Sequence, residues 1–102
     1  MDMKKMMKQA QKMQRDAAAA QQEIAAMTFE ASAGGGMVKA TATGEMAITD
    51  ITIDPAAVDP EDVEMLQDLV ISAVNEALRQ ADEAMENSMK SATGGLNIPG
   101  LF

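Results

Sequence analysis

The stretch Met27-Thr28-Phe29-Glu30-Ala31-Ser32-Ala33-Gly34-Gly35-Gly36-Met37-Val38-Lys39-Ala40-Thr41-Ala42-Thr43-Gly44 carries two runs of strict alternation on either side of a glycine triplet. Met27, Phe29 and Ala31 alternate with Thr28, Glu30 and Ser32, and Val38, Ala40 and Ala42 alternate with Lys39, Thr41 and Thr43. A period of two sends alternate side chains to opposite faces of a strand, so this stretch predicts two strands joined through the glycines. Gly44 breaks the chain again, and Ile48 to Ile53 form a third run. Gly44-Glu45 suits a two-residue hairpin turn, and a longer loop over 44–47 fits equally. Ile51 and Ile53 share a face, with Ile48 out of phase. Either Thr49-Asp50 holds a bulge, or Ile48 points to the second face and both faces of the sheet need cover.

Helices flank these strands. In residues 3–27, Met3, Met6, Ala10, Met13, Ala17, Ala20, Ile24 and Met27 recur at alternating spacings of three and four. That is a heptad seam, which needs a partner helix or sheet to cover it. Downstream, Asp59-Pro60-Glu61-Asp62 reads as a helix start, with Asp59 as cap and Pro60 in the first turn. An apolar stripe follows through Val63, Leu66, Leu69, Val70, Ala73, Val74, Ala77, Leu78, Ala81 and Met85 to about Met89, with Leu66 and Leu69 expected at its centre. From Ser91 the composition shifts to Gly, Asn and Pro, as expected of a flexible tail. The order helix, three strands, helix predicts an α+β fold with an antiparallel meander: a single domain over 1–90 and a tail over 91–102.

Composition excludes most chemistry. The chain of 102 residues has no Cys and no His. It therefore has no disulfide, no thiolate and neither the commonest general base nor the commonest metal ligand. Ser residues have no partner base, and Asp50, Asp54 and Asp59 match no calcium-loop spacing. Gly34-Gly35-Gly36 lacks the Lys-Ser/Thr of a phosphate-binding loop and precedes a strand rather than a helix. A binding protein is expected, with no cofactor, no metal and no small-molecule substrate. No signal peptide or membrane span is read in the chain, which points to the cytoplasm.

Charge is segregated along the chain. The net charge is −8, yet five of the eight basic residues, Lys4, Lys5, Lys8, Lys12 and Arg15, fall in the first fifteen positions. Residues 45–86 hold twelve carboxylates against Arg79 alone. With Met3 as heptad position a, the five bases occupy b, c and f, opposite the seam. Cations near a helix N-terminus oppose the dipole, so some use is expected to offset that cost. A phosphate backbone fits. A solvated helix back, or salt bridges to the acidic second helix, is the plainer alternative. Two aromatics, Phe29 and Phe102, are too few for a base-stacking platform. Of the eleven Met, four (Met3, Met6, Met13 and Met27) fall on the seam, and core or dimer packing is the expected role of most. Met7 lies off it and is expected to be the most exposed.

Six segments are Met7-Lys8-Gln9-Ala10-Gln11-Lys12-Met13-Gln14, Gly34-Gly35-Gly36-Met37-Val38-Lys39-Ala40-Thr41, Ile51-Thr52-Ile53-Asp54-Pro55, Asp62-Val63-Glu64-Met65-Leu66-Gln67-Asp68-Leu69-Val70, Ala73-Val74-Asn75-Glu76-Ala77 and Asn97-Ile98-Pro99-Gly100-Leu101-Phe102. In this order and spacing they resemble the YbaB/EbfC family of bacterial nucleoid-associated proteins. The resemblance implies a helix–three strand–helix protomer and a tweezer-like homodimer joined through the sheets. It also implies duplex DNA as the partner, bound so as to alter its conformation and affect gene expression, in the nucleoid. On charge, Lys4, Lys5, Lys8, Lys12 and Arg15 are assigned to DNA, and Met6, Ala10, Met13, Ile24 and Met27 to the dimer or packing seam. The alternative function is a homodimeric protein-interaction adaptor using the Met-rich helix and the apolar tail.

Overall fold

The computed structural model describes residues 2–93 and has the expected element order: α1 (Met3–Ala26), β1 (Thr28–Ala33), β2 (Val38–Thr43), β3 (Ile48–Ile53), a short 3-10 turn (Pro55–Ala57) and α2 (Val63–Thr93). The strands form an antiparallel sheet in the order β1-β2-β3. Of the expected tail, residues 91–93 continue α2; the remainder lies outside the described residues.

Register decides which side chains meet. Ala31 pairs with Ala40 and Ala40 with Ile51; Ala33 pairs with Val38 and Val38 with Ile53. Between Thr41 and Ala42 the register slips, so that Asp50 faces Thr41, Ile48 faces Ala42, and Thr49 is the extra residue. The bulge answers the phase problem of the third run: it returns Ile48 to the face of Ile51 and Ile53. The opposite face carries Glu30, Thr41 and Asp50 in one row and Ser32, Lys39 and Thr52 in the next, all polar. Of the two alternatives read from sequence the bulge forms, and an apolar second face does not.

α2 lies across β1 and β2. The contact is built from small residues: Ala31, Val38, Ala40 and Ala42 from the sheet are buried together with Ala73 and Ala77 of the helix. Val38 is the largest fully buried side chain. Leu66 and Leu69, expected at the centre of the stripe, are only half-buried and flank this patch. Alanines permit the closest approach of helix to sheet, so they take the centre and the larger residues the rim.

The turns and caps complete the frame. Gly34, Gly35 and Gly36 all have positive φ, a conformation that glycine adopts without strain. Between β2 and β3 the longer loop forms. Thr43 N–H donates to the Ala47 carbonyl (2.8 Å) and Met46 N–H to the Thr43 carbonyl (3.0 Å), with Met46 left-handed at φ 66°. Gly44 is buried against the end of α1, where a Cβ would collide with the Ile24 carbonyl oxygen. The second helix starts later than expected. Asp59 Oδ1 accepts from Glu61 N–H, and its carbonyl accepts from Asp62 N–H, so Pro60-Glu61 form a turn. Asp62 then accepts from Met65 N–H (3.2 Å) and caps the helix. The Asx turn at Asp59 outcompetes the cap read there from sequence.

Two substitutions check this packing. Ala77→Leu forces side-chain volume into the helix–sheet contact and should cost about 1–3 kcal/mol in a urea melt. Met46→Gly relieves a left-handed residue at an exposed loop and should raise stability by about 0.5–1 kcal/mol in the same assay.

Candidate nucleic-acid interface

α1 is a 24-residue helix, about 36 Å long, with no fully buried residue. Asp2 caps it by accepting from Lys4 N–H (3.0 Å). The seam divides into two parts. Met13, Ala17, Ala20 and Ile24 are half-buried where α1 packs on α2. Met3, Met6 and Ala10 are exposed, and Met27 is an exposed C-cap residue just past the helix end. The N-terminal half of α1 therefore extends as an arm beyond the packed part, about 15 Å from Met13 to Met3. Met7 is 60% exposed, but Met3, at 76%, is more open than the residue expected to be the most exposed.

Lys4, Lys5, Lys8, Lys12 and Arg15 are all exposed. At 3.6 residues per turn their mean direction lies roughly 150° from that of the seam, so they form one stripe on the outer side of the arm. Among the described residues none of the five makes an ion pair, which removes the reading of salt bridges to α2. Asp16 and Glu23 close the stripe on the same helix back. The positive charge thus belongs to the first fifteen residues.

Arg79 behaves in the opposite way. Its guanidinium donates through Nε (3.0 Å) and Nη2 (2.8 Å) to both carboxylate oxygens of Glu76, and through Nη1 (2.6 Å) to Glu83. These bonds, first that to Glu76 and then that to Glu83, hold the Arg79 pKa above its ordinary value. The hydrogen bond from Arg79 holds the Glu76 carboxyl below its own. The cation is taken up within α2 and is not offered to a ligand.

The sequence reading missed one surface. α2 covers β1 and β2 but leaves the inward face of β3 open: Ile51 is 42% and Ile53 37% exposed. Ile71, outside the expected stripe, is 56% exposed beside Leu66 and Val70, where they line an apolar depression of about 410 Å³. An isoleucine at the edge of a helix's polar flank was the available signal. Among the described residues no group of side chains suits a metal ion, and no helix is long and apolar enough to cross a membrane.

The profile of the YbaB/EbfC DNA-binding family matches residues 1–96. The chain belongs to that family. It is 60% identical over 101 residues to a nucleoid-associated protein of Desulforamulus reducens, covering 99% of this chain and 96% of the relative. A nucleoid-associated protein of Ruminiclostridium cellulolyticum is 56% identical over 102 residues, covering 99% and 89% of the two chains. The crystal structure of an uncharacterized protein from Helicobacter pylori superposes with a TM-score of 0.73 at 23% identity, covering 89% of this chain and 96% of that one, and shows the same fold. YbaB/EbfC is a family of DNA-binding proteins, not of enzymes.

Because the Glu76 pKa is lowered on folding, the contribution of the Arg79 cluster is present above the ordinary carboxylate value. It is lost as the pH falls through the lowered folded value. Arg79→Gln should return the Glu76 titration, followed by NMR, toward that ordinary value.

Proposed function

We propose that this YbaB/EbfC protein binds duplex DNA as a homodimer, in the bacterial nucleoid, through the basic stripes on its two α1 arms. The observation that carries this reading is the stripe itself: five cations on one exposed helix face, without ionic partners among the described residues. Backbone phosphates bind such a row by charge and release of counterions, without needing a fixed sequence motif. The stripe lies on the far side of the helix from the seam, so a duplex can reach it without disturbing the packing of α1 on α2.

Dimerisation follows from the uncovered apolar surface. Ile51 and Ile53 on β3, and the depression lined by Leu66, Gln67, Val70 and Ile71 on α2, are open apolar surface that a second copy would cover, leaving both arms free to project. Two arms on one dimer give two phosphate-binding rows and a means of holding the duplex in an altered shape.

Sedimentation at micromolar concentration should give about twice 10.8 kDa, and Ile51→Glu should shift the protein toward monomer. Replacing Lys8, Lys12 and Arg15 together by Gln should leave helicity and dimer intact. In mobility shifts with random duplex it should weaken binding for all sequences alike and flatten the salt dependence by about 0.9 for each phosphate no longer neutralised. Binding as tight as the parent's at every salt concentration would make the stripe a solvated helix back and favour the adaptor reading.

A further inference from the structure

We propose that residues 94–102 of the same chain run along the arm and cover its open seam, packing Leu96, Ile98, Leu101 and Phe102 on Met3, Met6 and Ala10. The inference concerns the protomer and does not rest on the DNA-binding reading above.

The seam of α1 is one continuous face in two environments. Met13, Ala17, Ala20 and Ile24 are half-buried, whereas Met3 and Met6 are 76% and 52% exposed and Ala10 is exposed with them. The heptad spacing does not change between the two parts, so what ends at Met13 is the covering element and not the apolar face.

The course of α2 shows where that cover stops. Leu69 lies against Gly34, just past the end of β1, and Arg79, Gln80, Glu83, Ala84 and Asn87 share a groove with Phe29 near its start. α2 therefore runs antiparallel to β1 and leaves the sheet beside the point where α1 ends. α1 packs on α2 and hardly touches the sheet, so the two helices run side by side and antiparallel away from it. On α2, Ala81 is buried and Ala84, Met85 and Ser88 are half-buried, again at spacings of three and four. With Ile24 set level with Ala81, α1 extends about 32 Å to Met3 and α2 about 18 Å to Thr93. The arm outruns α2 by roughly 14 Å, which agrees with the stretch of open seam before Met13.

The chain leaves α2 in the direction of that overhang. Gly94-Gly95-Leu96-Asn97-Ile98-Pro99-Gly100-Leu101-Phe102 holds four large apolar side chains and no charged one. Glycine directly after a helix suits the change to extended chain. Extended, a segment of this length spans up to about 30 Å, well past Met3. A short tether holds such a segment near the seam at an effective concentration of about a millimolar, so in micromolar protein it displaces a second copy from the same surface. The covered side is opposite the basic stripe, and Lys4, Lys5 and Lys8 stay open. The contact also withdraws both apolar surfaces that the adaptor reading needs.

The test is NMR of the full-length protein with labelled methionine methyl groups. The Met3 and Met6 methyls should show nuclear Overhauser contacts to the Phe102 ring and the Leu101 methyls. Leu101→Ser/Phe102→Ser should move both methionine methyl resonances to those of solvent-exposed methionine, while the Met46 methyl, in the β2–β3 loop, and the circular dichroism stay as in the parent. From the other side, Met6→Ser should shift the Phe102 ring resonances. A further sample, refolded from chains labelled only at Met mixed with chains labelled only at Leu and Phe, should show none of these contacts. Their appearance there would assign the cover to the tail of a second copy and overturn the proposal. It is equally overturned if the parent shows no contact between the tail and the Met3 and Met6 methyls, or if those methyls keep their resonances in the Ser variant.

Discussion

The alanine contact between α2 and the first two strands is the constraint on which the rest of the structure depends. Ala31, Ala40 and Ala42 meet Ala73 and Ala77, with Val38 as the only larger side chain fully enclosed among the described residues. Side chains this small let the helix axis settle close to the sheet, and a helix that close covers a narrow strip. Two strands are covered, and of the third Ile48 packs against the buried patch while Ile51 and Ile53 stay open. The buried patch is small for a chain of this length, and a protomer with this little interior gains from a second copy over β3. An exposed, apolar inward face on β3 is the direct consequence of alanine at the centre of the contact.

The same economy of core frees the arms. The protomer measures 72 × 28 × 16 Å, with a radius of gyration of 20.0 Å, against about 13 Å for a compact domain of similar length. Only the half of α1 from Met13 onward has α2 beside it, and the other half extends outward. Helix propensity must hold that half, and its composition of Lys, Gln, Met and Ala suits the task. Asp2 adds a cap where four lysines in the first ten helical positions would otherwise act against the dipole.

Period and punctuation made the architecture legible. The heptad seam of α1, the two alternating runs around Gly34-Gly35-Gly36, the run from Ile48 to Ile53 and the apolar stripe of α2 together predict the major elements, and the resemblance drawn from short segments agrees with the family match. What escaped depended on competition between local devices. Asp59 and Asp62 are both able to cap a helix, and only the Asx turn around Pro60 decides between them. Ile48 could have faced either way until the slip opposite Thr41 and Ala42 set its side. The pattern of the α2 stripe puts Leu66 and Leu69 at its centre, whereas close packing places Ala73 and Ala77 there. The open face of β3 was hidden for a related reason: periodicity tells which side of a strand is apolar, not how far a helix reaches across it. The basic stripe, by contrast, was fully readable, because exposed positions on a regular helix follow from spacing alone.

Segregated charge reconciles an acidic protein with a polyanionic partner. Residues 45–86 carry twelve carboxylates and Arg79, and Glu76 and Glu83 already hold that arginine. Much of this charge lies along α2, which a duplex approaching the body of the protein would meet as a repelling surface. At physiological ionic strength the repulsion is screened over about 8 Å, while Lys4, Lys5 and Lys8 stand about 7–14 Å out along the arm from Met13, where α1 begins to pack. A duplex held at the outer face of the arm is thus within reach of the stripe and largely screened from the body. Asp16 and Glu23, set where the stripe ends, sharpen that boundary along the helix itself. In the DNA-binding homodimer proposed above, the negative charge would help to place the duplex, because it disfavours surfaces other than the basic stripes of the two arms.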